Sequence, residues 1–134
     1  MEIDERLTPG LKFEATHEVN DANAINFLGD GGPRVLATPA LIMYLEMACR
    51  DLAKERLDPG FDTVGTHVDV KHLAATPIGM SVTCRSELLE VQDRRLRFRV
   101  EAFDAKEKVA EGFHERAVIN VAKFAARMAA KRPE

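Results

Sequence analysis

Three residues of this chain combine a reactive side chain with a setting that could use it: Thr38, Glu46 and His72. Glu46 is the only charge in the helical stripe Thr38, Ile42, Glu46, Cys49 and Ala53. A carboxylate on so apolar a face is partly desolvated, which raises its pKa and suits it to acid–base work. The plainer alternative is a surface carboxylate paired with Arg50 one turn on, an arrangement that contributes little. Thr38 stands just before Pro39 and is a sufficient helix N-cap by itself. A helix N-terminus also carries free N–H donors and partial positive charge, which can hold a carbonyl oxygen as it becomes an oxyanion. His72 closes a strand, where a lone histidine commonly has a structural role. It is set apart by the segment it precedes, Leu73-Ala74-Ala75-Thr76-Pro77, whose small residues let a ligand approach. His67, beside Asp69 on the opposite face, invites the same structural reading.

Other chemistries find less support. There is no HExxH, no paired CxxC and no EF-hand loop, so a metal site is not expected. Gly29-Asp30-Gly31-Gly32 has neither the spacing nor the strand–helix setting of a dinucleotide fingerprint, and no serine sits in a GxSxG elbow. Arg95, Arg97 and Arg99 alternate along one strand, either as a solvated face or as contacts for coenzyme A phosphates.

The elements that must position these residues follow one another without a repeat or a low-complexity break. Leu11 to Val19 alternates as a first strand, and Asn20 to Arg34 is loop-like, with room for a helical turn around Ala22 to Leu28. Leu41, Leu45, Ala48 and Leu52 recur at helical spacing, and Asp58-Pro59-Gly60 stops the run, which predicts a helix from Pro39 to Leu57. Strands are expected at Thr63–His72, with Val64, Thr66, Val68, Val70 and His72 on one face, and at Met80–Val91. A hairpin turn at Gln92-Asp93-Arg94 leads to a strand with Leu96, Phe98, Val100 and Ala102 buried, then to a strand at Lys108–Asn120. A short basic helix, Val121 to Lys131, ends the pattern. One long helix with a mostly antiparallel five-stranded sheet is an α+β layout.

Composition bounds the rest. At 134 residues the chain fits one domain, 1–134, and 46% hydrophobic with 31% charged residues is ordinary for a soluble protein. A net charge of −3 and a pI near 5.8 argue against nucleic acid as a partner. No apolar run reaches the roughly 18 residues that a membrane span needs. MEIDERLTPG lacks the pattern of a signal peptide, and Cys49 and Cys84 read as reduced thiols, so the cytoplasm is the expected compartment. A dimer would enlarge a small core.

Three blocks carry a family likeness: VLATPALIMYLEMAC (Val35 to Cys49), VGTHVDVKHLAATPIGM (Val64 to Met80) and EGFHERAVINVAKF (Glu111 to Phe124). Together they resemble the fluoroacetyl-CoA thioesterase-like branch of the hotdog-fold thioesterases, from about Leu7 to Arg127. The resemblance implies a hotdog fold, a homodimer or higher homo-oligomer with active sites at or near the interface, and no metal or other cofactor. It implies catalytic roles for Thr38, Glu46 and His72, and a backbone group lent by Gly65 to the substrate or water site. The expected reaction is hydrolysis of an acyl-CoA to a carboxylic acid and free coenzyme A. A non-catalytic acyl-CoA-binding or sensing protein is the alternative. An enoyl-thioester hydratase is disfavoured, because His67 and Asp69 have the wrong spacing for its motif. The loop after the first strand looks shorter than in the fluoroacetyl-specific enzyme, with only Phe27 where that enzyme carries a phenylalanine pair. Selectivity for a fluorinated acyl group is therefore not expected.

Overall fold

A computed structural model of the chain describes residues 2–133. Helix α1 (Ile3–Arg6) leads into strand β1 (Lys12–Glu18), and after the long loop comes helix α2 (Thr38–Lys54). Strands β2 (Phe61–His72), β3 (Ser81–Gln92), β4 (Arg95–Phe103) and β5 (Lys108–Asn120) follow, then helix α3 (Val121–Lys131). The five strands form one sheet in the order β1-β3-β4-β5-β2, and every neighbouring pair is antiparallel. This is the expected α+β layout of one long helix against an antiparallel sheet.

The apolar spacing of α2 is answered by the sheet face beneath it. Leu41, Leu45, Ala48, Cys49, Leu52 and Ala53 are buried in one core with Val82, Cys84, Leu88, Leu96, Phe98, Val100 and Ala102. Each large aliphatic side chain so buried stabilises the fold by about 1.5–3 kcal/mol. The arginines of β4 alternate onto the other face, away from α2, where Arg97 lies 4.5 Å over the Phe113 ring. They behave as a solvated strand face. The β3–β4 hairpin turns at Asp93, whose φ of +56° is better tolerated by Asp than by most residues.

Three expectations change in detail, and one element is new. Helix α2 stops at Lys54 rather than Leu57, because the amides of Arg56 and Leu57 reach back only three residues, to the carbonyls of Ala53 and Lys54. The segment around Ala22 to Leu28 is not a helical turn. The Asn23 side chain accepts from the Asn20 amide and donates to the Glu18 carbonyl and the Tyr44 hydroxyl, which ties the loop root into a turn instead. The apolar face expected on β2 is not buried: Gly65 to Asp69 are all exposed, and Val68 is 43% so. β2 is an edge strand, and a β-bulge between Gly65 and His67 shifts its alternation. Helix α1 was not foreseen; its Arg6 pairs with Asp58.

A clamp of backbone bonds brings the start of α2 to the end of β2. The amide of Leu36 donates to the Thr76 carbonyl at 2.9 Å, and that of Ile78 to Arg34 at 3.2 Å. Thr76 is itself held by its hydroxyl, which donates to Asp104 at 2.9 Å. Among the described residues no helix is long and apolar enough to cross a membrane.

Candidate active site

The clamp sets the first turn of α2 against the last residue of β2. The outcome is a direct contact: Thr38 Oγ1 lies 2.7 Å from His72 Nδ1. The cap position belongs to Ala37, which makes no side-chain cap bond, so Thr38 is not the N-cap expected from the Thr-Pro pair. Its hydroxyl is committed to the histidine instead. Burial pushes the His72 pKa below the ordinary histidine value, so the ring is neutral near pH 7. Its other nitrogen, Nε2, is buried and makes no hydrogen bond among the described residues. Buried polar atoms nearly always find a partner, so Nε2 is poised to meet a water molecule or a substrate group.

Glu46 stands elsewhere. Two turns along α2, it is about 12 Å from Thr38 at the helical rise of about 1.5 Å per residue. No hydrogen bond joins it to Thr38 or His72 among the described residues. The alternative pairing with Arg50 is absent too: Arg50 makes a two-pronged contact with Asp62, at 3.0 and 2.6 Å, and a longer one with Asp51. Glu46 faces the middle of β2 and β5. A Cβ placed on Gly65 would lie 3.2 Å from Glu46 Oε1, 3.2 Å from His114 Cε1 and 3.4 Å from Arg116 Nη1. Gly65 is therefore the floor on which three polar side chains converge.

His114 and Arg116 are the functional candidates that the sequence reading did not single out. Both are buried on the core face of β5, between Ala110 and Val118. Arg116 donates from Nε to Thr63 Oγ1 at 2.7 Å and from Nη2 to the Thr63 carbonyl at 2.9 Å, and Nη1 lies 3.1 Å from His114 Nε2. Glu46 Oε1 is 4.0 Å from that same Nε2. Burial lowers the pKa of Arg116, although nearby Cys49, Glu46 and Asp62 favour its charge. A signal was present in the sequence, since two polar residues alternating onto an apolar strand face are the unusual observation in a core. The Cys49 thiol is buried close by, and burial raises its pKa far above the nucleophilic range. Among the described residues no three His, Cys, Asp or Glu side chains are grouped to hold a metal ion.

The five-stranded antiparallel sheet and its single long covering helix are those of a hotdog-fold thioesterase. Residues 19–122 match the family of fluoroacetyl-CoA-specific thioesterases, and the chain belongs to that family. The fluoroacetyl-CoA thioesterase of Streptantibioticus cattleyicolor is 43% identical over 101 residues, which cover 75% of this chain and 73% of that protein. The solved structure of the fluoroacetyl-CoA thioesterase FlK superposes with a TM-score of 0.86 at 35% identity, covering 95% of this chain and 98% of that one. A hot-dog-like protein from Thermanaerovibrio acidaminovorans shares the fold, with a TM-score of 0.90 at 21% identity and coverage of 100% and 99%.

Proposed function

We propose that the protein hydrolyses a short-chain acyl-CoA in the cytoplasm, giving a carboxylic acid and free coenzyme A, without a metal or other cofactor. Thr38, Glu46 and His72 carry the chemistry, and the backbone of Gly65 faces the substrate or water. The observation that carries this reading is the 2.7 Å contact between Thr38 Oγ1 and His72 Nδ1. A hydroxyl both donates and accepts, so it can serve either tautomer of the ring. With the proton on Nδ1, His72 Nε2 takes a proton from water as the oxygen attacks the thioester carbon. With the proton on Nε2, the same atom protonates the departing thiolate, so one proton is taken and returned. Glu46 orients the attacking water or attacks the carbonyl itself, giving a transient anhydride that water then opens.

The active form is a homodimer. Thr38 with His72 and Glu46 with Gly65 form two half-sites too far apart in one chain to meet on a single thioester carbon. They lie seven residues apart along β2, whose exposed edge between them is free to pair. Antiparallel pairing of that edge about a two-fold near Val68 and Asp69 would set Gly65 opposite His72 of the partner subunit. The grooves lined by Arg85, Arg99 and Glu101 lie on the outer sheet face and include none of the three catalytic residues. Phe27 is 74% exposed rather than packed over the site, which supports a site without discrimination for fluorinated acyl groups.

The test is free-thiol release from a panel of acyl-CoAs, acetyl-CoA and fluoroacetyl-CoA included, by wild type beside His72→Ala. Release by wild type, reduced about a thousandfold in the variant, is the expected result. No release from any member by folded protein would leave the binding or sensing role.

A further inference from the structure

The hydrogen bonds of His114 fix its protonation. Its Nδ1 lies 2.7 Å from the His67 carbonyl, which can only accept, so Nδ1 carries a proton. Its Nε2 lies 3.1 Å from a guanidinium nitrogen, which can only donate, so Nε2 carries none. Both contacts demand one species, the neutral ring with its hydrogen on Nδ1. Burial, aided by the charge of Arg116, favours the neutral form as well, against the bond to His67 and the carboxylates of Glu46, 4.0 Å from Nε2, and Glu115. A second proton would set N–H against N–H inside the core.

The acceptor matters because of what Arg116 would otherwise have. Both of its other contacts go to one residue, Thr63, through Nε and Nη2. They hold one edge of the guanidinium. His114 supplies the third contact, at Nη1, which is the nitrogen nearest the space over Gly65. Three of five donors are then used, and Nη1 is held at the space over Gly65 that Glu46 Oε1 also approaches. The chain of contacts also reaches the edge strand, since the His67 carbonyl sits beside the bulge in β2.

We propose that His114 is a positioning residue of the active site: as a neutral acceptor it holds the Arg116 guanidinium over Gly65, where that charge balances and aims the Glu46 carboxylate. The proposal rests on the catalytic reading of Glu46. A small displacement of an aimed group is costly in rate, so His114 acts on turnover more than on substrate affinity.

The test compares His114→Phe, which fills the space without an acceptor, with His114→Gln, whose side-chain oxygen can stand in for Nε2. His114→Phe is expected to lower kcat about ten- to a hundredfold with KM within about twofold, and His114→Gln to recover most of it. In a Glu46→Gln background His114→Phe should cost nothing more, because it acts through Glu46. Imidazole nitrogen shifts of wild type need no variant to fold; they should report the Nδ1–H tautomer, with its second proton taken up at lower pH than in a free histidine. Full activity in His114→Phe, equal loss in both variants, an undiminished loss without Glu46, or an Nε2–H tautomer would each overturn the proposal. Absence of hydrolysis by wild type would remove the thioesterase reading and this proposal together. A hydrolysing wild type with an unimpaired His114→Phe would remove this proposal alone.

Discussion

The two polar clusters on α2 are built in opposite ways. At its first turn, Thr38 and His72 share one hydrogen bond and leave a buried nitrogen unsatisfied. Two turns on, His114 and Arg116 make four contacts to two threonine atoms, one backbone carbonyl and each other, around a glycine with no side chain. The first cluster is incomplete, and its unsatisfied atom is the one able to move a proton. The second is a finished scaffold of buried side chains beside which Glu46 is 35% exposed. A charged site inside a small protein needs both kinds of place. Reactive atoms must be left without protein partners, and the charges that steer them must be overdetermined so that they do not move.

Removing the carboxylate is the strongest way to break this comparison. Glu46→Gln keeps the shape of the second cluster and the whole of the first, and should lower turnover by about a hundredfold or more. Near-normal turnover in a thiol-release assay would take Glu46 out of the mechanism and leave the second cluster purely structural.

A smaller effect separates the two roles of Thr38. Thr38→Ala removes one hydrogen bond to His72, a net change of about 1 kcal/mol, so turnover should fall about five- to tenfold. Thr38→Ser keeps the hydroxyl and should restore most of the rate. The cap belongs to Ala37, so neither change should shift the thermal midpoint by more than a few degrees. A loss in stability as large as the loss of a helix cap would return Thr38 to the structural role that its sequence position suggests.

How far the sequence reached follows the same division. The helix, the four later strands and their order along the chain are written in short-range periodicity, and their bounds held to within a few residues. Local pattern gave Thr38 and His72 structural readings, a helix cap and a strand end, and the family resemblance is what singled them out. That the hydroxyl would serve the histidine rather than the helix depends on the Leu36–Thr76 clamp, a contact between residues 40 positions apart. His114 and Arg116 were passed over although their block was quoted, because alternation cannot tell which strand face the helix covers. The β2 edge misled for a related reason: Val64, Thr66, Val68 and Val70 read as one regular apolar face. Strand order and a bulge, neither encoded in the local pattern, leave most of that stretch exposed.

The gentlest probe is pH. Burial lowers the folded-state pKa of His17, His72 and His114 from the ordinary value of about 6.5. Between the folded value and about 6.5 the unfolded chain therefore binds more protons than the native one, and stability rises with pH. The contribution is complete above about 6.5 and is lost as pH falls toward the folded values. The thermal midpoint should drop by a few degrees between pH 7 and pH 5.5. His114→Gln should flatten that slope more than His72→Ala does, because only His114 must keep its lone pair against a guanidinium. The rate should be less sensitive on the acid side than a free histidine would make it, since the base keeps its neutral form to lower pH. An acid limb in kcat/KM centred at or above 6.5 would show that the base stands in water, and the division between an open reactive pair and a closed scaffold would not survive it.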